Sequence, residues 1–332
     1  MFNLTQERID SCVRRLQGGY FRIYGSSKAE YAELIASVAR VTLENITRSD
    51  AAYHDVDHTI LVTLAGQEIL RGKHIREGNV SCDDWFHSII SLLCHDIGYI
   101  KGICHQDRSK EKLFVTSKDG EFITLKPGAT DAALTDYHVD RGQLFVEENF
   151  SGYKLIDVKR INDNIEMTRF PIPQEGKYQQ TSNYAGLARA ADLIGQLADP
   201  HYLQKMPALF YEFLENGTSK KLGYVHPGDL RSAYPDFFKN VVSPYIQDGL
   251  HHLEVTRQGR EIIASLYENV WVIENELEDK DGNSLQEPPQ ALPSISPSPL
   301  PDMSSVSGKA DLFSHESGLG SWLHKSLRIS HA

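Results

Sequence analysis

The chain has 332 residues, 40% of them hydrophobic, which is enough to bury one substantial core with appendages. Its net charge of −11 argues against broad attraction to a nucleic acid backbone or an anionic lipid surface. A small phosphorylated substrate stays admissible, because a bound cation reverses the local field.

Cys12, Cys82, Cys94 and Cys104 are widely spaced and form no CxxC pair, so neither a disulfide framework nor a thiolate zinc site is expected. No secretory leader is apparent at Met1–Arg8, and no apolar run approaches the roughly 20 residues of a membrane helix. The expected setting is the cytoplasm, with no membrane and no nucleic acid partner.

In chain order, residues 1–29 form an N-terminal helical extension. Leu34, Ile35, Val38, Val41 and Leu43 then recur with helical spacing across 30–47. A second helix is expected from about Ala52 to Arg71, carrying Ile60, Leu61, Leu64 and Ile69, with Gly72 as its stop. Asp83 or Asp84 caps a third, strongly apolar helix running through Trp85, Phe86, Ile89, Ile90, Leu92 and Leu93 to about Gly98. The β-branched residues around Asp119-Gly120 predict a small hairpin across 115–124, inserted between helices. Helical character resumes at 129–149 and 182–198, and a last amphipathic stripe runs from Ile262 to Leu277. These elements define an all-α bundle over 30–278 with one inserted hairpin. Residues 279–332 read as a Pro/Ser-rich, disordered tail whose terminal piece, around Trp322, is a candidate docking element for a protein partner.

The chemistry concentrates at three places. His54 and His58 stand four apart on the expected helix, so both imidazoles project from one face. His95-Asp96 ends an apolar helix, where burial of an ionisable pair costs free energy unless something compensates. Asp192 is again one acid in a helix of small and apolar residues. A divalent cation compensates all of them, since imidazole and carboxylate suit zinc, iron or manganese, and carboxylate also suits magnesium. The competing explanation is that these groups pair with one another or cap backbone.

Tyr53-His54-Asp55-Val56-Asp57-His58, then Leu92-Leu93-Cys94-His95-Asp96-Ile97-Gly98, then Asp192, resembles the ordered signature of the HD superfamily of metal-dependent phosphohydrolases. The resemblance spans about residues 30–275. It implies a helical bundle in which His58, His95, Asp96 and Asp192 converge on a first metal ion. The opening Tyr53-His54-x-x-x-His58 is similar to that of class I cyclic-nucleotide phosphodiesterases, which implies a general-acid role for His54; Asp55 departs from the asparagine of those enzymes. His138-Val139-Asp140-Arg141-Gly142 resembles the HxxxG element of HD-GYP proteins, which implies that His138 binds a second ion bridged by Asp96. The GYP tripeptide itself is missing.

The function implied is hydrolysis of a phosphate ester of a nucleotide or similar small metabolite. One or two manganese, iron, magnesium or zinc ions would generate a bridging hydroxide as nucleophile, with His54 as proton donor. Asp55 and Asp57 are candidate acceptors for the histidine N–H groups, and Lys101, Arg141 and Arg169 candidate phosphate contacts. Two alternatives stand beside this reading: a metal-stabilised regulatory protein without turnover, and a di-iron oxygenase of the same superfamily.

Overall fold

The computed structural model describes residues 3–280 apart from residue 118. The fold is all-α with one two-stranded antiparallel sheet, and the expected tail from residue 281 onward lies outside the described residues. No described helix is long and apolar enough to cross a membrane.

Helices α1 (Leu4–Tyr24), α2 (Ala29–Ile46), α3 (Val56–Glu77) and α4 (Cys82–Cys94) open the chain. The sequence suggested an N-terminal extension, yet α1 buries Ile9, Cys12, Val13, Leu16 and Tyr20 in the same core as α2 and α4. Each fully buried side chain of this size stabilises the fold by roughly 1.5–3 kcal/mol. Helix α4 is buried on every side from Trp85 to Cys94, which makes it the central rod of this core. Ser81, rather than Asp83 or Asp84, caps it, and the Ser81 hydroxyl and Asp84 carboxylate close a reciprocal capping box. The next two residues are therefore delivered straight into the interior: His95 and Asp96.

Two boundaries of α3 differ from the sequence expectation. Its start moves to Val56 because Asp55 is extended and its carboxylate accepts from the His58 N–H, a cap that leaves His54 outside the helix. Gly72 does not stop it. A Cβ there would fall 1.8 Å from the His252 carbonyl oxygen, so Gly72 permits close helix approach, while Gly78 at φ 68° makes the actual cap.

A short 3-10 turn, Ile97–Tyr99, follows Asp96. Next come β1 (Leu113–Val115) and β2 (Phe122–Thr124), paired in the register Leu113 to Thr124 and Val115 to Phe122, as the Asp-Gly turn predicts. They cover a small apolar patch of Phe114, Leu125 and Leu134. The stretch expected as helix from 129 begins as a 3-10 segment, Asp131–Tyr137, and becomes α5 (His138–Phe150) at His138 itself. Helix α5 docks on the turn after Asp96 through Gly98, where a Cβ would sit 1.9 Å from the His138 carbonyl oxygen. No side chain fits there, and the contact brings His138 beside Asp96.

Helix α6 (Val158–Glu166) completes the first core. A second core is built by α7 (Tyr184–Leu197), α8 (Tyr202–Glu215), α10 (Pro227–Ser232), α11 (Tyr234–Phe237), α12 (Ser243–Leu253) and α13 (Arg257–Lys280), while the short α9 (Thr218–Leu222) stays outside it. Helix α3 lies between the cores, sending Val62 and Ile69 into the second while Ile60 and Leu64 pack on the first.

Candidate metal centre

The first turn of α3, the end of α4, the start of α5 and the middle of α7 meet at one point. His58 Nε2 lies 3.1 Å from Asp96 Oδ2 and 3.6 Å from Asp192 Oδ1. His95 Nε2 lies 3.1 Å from Asp96 Oδ2 and 3.5 Å from Asp192 Oδ1. His138 Nε2 is 3.8 Å from the other oxygen of Asp96, Oδ1. All five residues named from the sequence as ligands are thus gathered, from four segments spread between residues 58 and 192.

The imidazoles are oriented from behind. His95 Nδ1 donates to the Leu92 carbonyl at 2.7 Å, and His138 Nδ1 to the Thr135 carbonyl at 2.6 Å. A carbonyl only accepts, so in each ring Nδ1 keeps its proton and Nε2 is the atom that faces the carboxylates, carrying a lone pair whenever that ring is neutral. His95 and Asp96 are buried, and at 3.1 Å they touch; even so, neither His95 Nε2 nor Asp96 Oδ2 has a properly directed hydrogen bond. Two orphaned polar atoms facing one another in the interior are costly. The donor set, imidazole nitrogen plus carboxylate oxygen, fits a divalent transition metal.

Electrostatically the protein alone holds the cluster as an ion pair. Burial would lower the His95 pKa, yet Asp96 and Asp192 lift it well above the usual imidazole range. Burial would likewise raise Asp96, but His95 and the other imidazoles hold it well below the usual carboxylate range. His138, for which burial is the dominant influence, is shifted downward and stays neutral, as a ligand must be.

His54 reaches the cluster from the bend before α3. His54, His58 and Asp96 present donor atoms all within 4.8 Å of one another, as do His58, His95 and Asp192. The position of His54 owes nothing to helical spacing. It is held by Glu212 of α8, whose Oε2 accepts from His54 Nδ1 at 2.6 Å while Oε1 accepts the backbone N–H groups of Tyr53 and His54. Burial opposes a charge on His54, but the Glu212 carboxylate outweighs it and the pKa rises to about 9. Glu212 itself, despite burial, is lowered by His54.

Glu212 was not singled out from the sequence. The signal was the one that marked Asp192: a single acid amid Leu209, Phe210, Phe213 and Leu214. Tyr99 was missed as well. Its ring packs between those of His54 and His138.

Other candidates are engaged elsewhere. Asp55 caps α3 and Asp57 pairs with Arg8, so the histidine N–H partners seen are carbonyls and Glu212 instead. Lys101 pairs with Asp50, and Arg169 grips Asp140 and Glu166. Arg141 is wholly buried and clamps Asp107. A groove of about 380 Å³ beside Leu203, Arg231 and Val272 shares no residue with the cluster.

Compared with known proteins, the chain matches the Npun_R2479-like family over residues 2–276. The chain belongs to the Npun_R2479-like family. The matched span takes in every residue of the cluster in this family member, together with α1, and ends within α13. No curated protein matches it.

Proposed function

We propose that this chain is a metal-dependent phosphohydrolase that cleaves a phosphate ester of a nucleotide or similar small metabolite in the cytoplasm. The observation that carries this reading is the convergence of His58, His95, Asp96 and Asp192 with unsatisfied donor atoms turned inward, next to a separately anchored histidine. The resemblance to the HD superfamily points the same way.

His58, His95, Asp96 and Asp192 would hold the first cation, and His138 with the second oxygen of Asp96 offers the start of a second position. A divalent cation supplies Lewis acidity toward a phosphoryl oxygen and makes water acidic enough to act as a nucleophile near neutral pH. His54 keeps its proton at neutral pH because Glu212 faces it, and delivers that proton to the departing ester oxygen. Glu212 accepts from Nδ1, which fixes Nε2 as the atom that donates. Lys101, Arg141 and Arg169 are committed to carboxylates, so substrate charge is met by the cation and His54.

The test is metal analysis of protein purified without chelator, then a panel of nucleotides and cyclic esters with manganese, iron, magnesium or zinc. Bound metal, release of phosphate or ring opening, and loss of both in His95→Ala/Asp96→Ala with helicity retained are expected. Turnover that persists in the double variant overturns the assignment.

A further inference from the structure

His54 and His138 need their ring planes fixed, and the backbone does this for neither. His54 sits on a bend outside α3, and His138 is the first residue of α5. Each ring has one hydrogen bond at Nδ1, to Glu212 and to the Thr135 carbonyl respectively. One bond sets where the nitrogen points but leaves the ring free to swing about that bond.

Tyr99 removes the swing from both. Its ring lies 4.5 Å from that of His54 at an interplanar angle of 17°, and 4.4 Å from that of His138 at 19°. Nearly parallel planes at these separations are offset stacks, which contribute beyond area burial. Tyr99 is buried, and its N–H bonds the Asp96 carbonyl at 3.1 Å, so one short turn carries a ligand and the spacer together. With a histidine on either side, Tyr99 has no free face for a nucleobase.

We propose that Tyr99 is a positioning residue that sets the distance and tilt between the proton donor His54 and the metal-side histidine His138. The reactive part of this inference rests on the hydrolase reading; the geometric part does not. A displaced donor costs rate rather than affinity, because the proton moves only in the transition state.

The test uses full-length protein with selectively labelled histidine and tyrosine rings, loaded with zinc. Nuclear Overhauser contacts from the Tyr99 ring to both imidazoles are expected in the wild type, and absence of either overturns the proposal. Tyr99→Phe keeps both faces and should retain the histidine ring shifts and kcat. Tyr99→Leu, or Tyr99→Met should the first not fold, should shift both histidine resonances downfield. It should also lower kcat on a nitrophenyl phosphate ester by about 100-fold with KM little changed. Unmoved resonances, an unchanged kcat, or a Phe variant as impaired as the Leu variant would each defeat the positioning role. A wild type that turns over neither this ester nor any member of the nucleotide and cyclic-ester panel with manganese, iron, magnesium or zinc defeats the hydrolase reading, and the ring contacts and zinc affinity of the variants then decide the geometric claim alone.

Discussion

Two ionic clusters lie buried within a few residues of each other, and they solve the same problem in opposite ways. Around Arg141, every donor is used: Nε bonds the Gly98 carbonyl, and the two terminal nitrogens bond Asp107 and the carbonyls of Ile100 and Val115. Asp107 also accepts from the N–H groups of Gly102, Cys104 and Val115. Around His95 and Asp96, equally buried, two polar atoms are left without directed partners. Burial and charge alone therefore mark no candidate site; convergent polar atoms that the protein does not satisfy do.

Cutting each cluster should separate them. Asp107→Ala strands the Arg141 guanidinium in the interior and should destabilise the protein by about 3–5 kcal/mol, read by chemical denaturation. The loss should be the same with and without added metal. A metal-dependent loss would break the comparison.

The second experiment runs the other way. Loading wild type with its preferred cation at 100 times Kd should stabilise it by about 2.7 kcal/mol. Asp107→Ala should keep this increment, and Asp192→Asn should lose most of it. An increment insensitive to Asp192 would move the ion elsewhere.

The smallest effect concerns a third, partly buried pair, His54 with Glu212. His54 is protonated below about 9 and loses its proton as pH rises through that value, so the rate should fall on the alkaline side. A bound dication opposes the imidazolium and sets the limb at or below that point. Glu212→Gln removes the carboxylate that raises the pKa. The limb should move to lower pH, costing about tenfold in rate at a fixed alkaline pH for each unit moved. An unmoved limb would mean that another group titrates there.

Much of the frame was legible. The periodic apolar spacing of α2, α4, α7 and α13 and the Asp-Gly hairpin all followed from local rules. The residues that converge on the cluster were legible partly because ionisable groups in apolar helices demand an explanation and partly through the resemblance to the HD superfamily. Long-range partners were not. Arg141 looked available to phosphate because nothing local reveals Asp107, 34 residues away. His54 was put on a helix because the spacing to His58 is the same whether or not Asp55 ends the helix between them. The region from 199 to 256 had no assignment: α9, α10 and α11 are short, Pro207, Pro227, Pro235 and Pro244 punctuate the stretch, with Pro207 inside α8 itself, and Glu212 was lost with it.

The seam between the two cores has a mechanical consequence. His95, Asp96 and His138 stand beside Cys94, Ile97 and Val139 of the first core and Asp192 beside Ala191 and Leu193 of the second, with His58 on the helix that separates them. An ion seated there would act as a rivet through both halves. Parting them would first require breaking coordination bonds, so the lifetime of the native fold would be governed by how slowly the metal leaves.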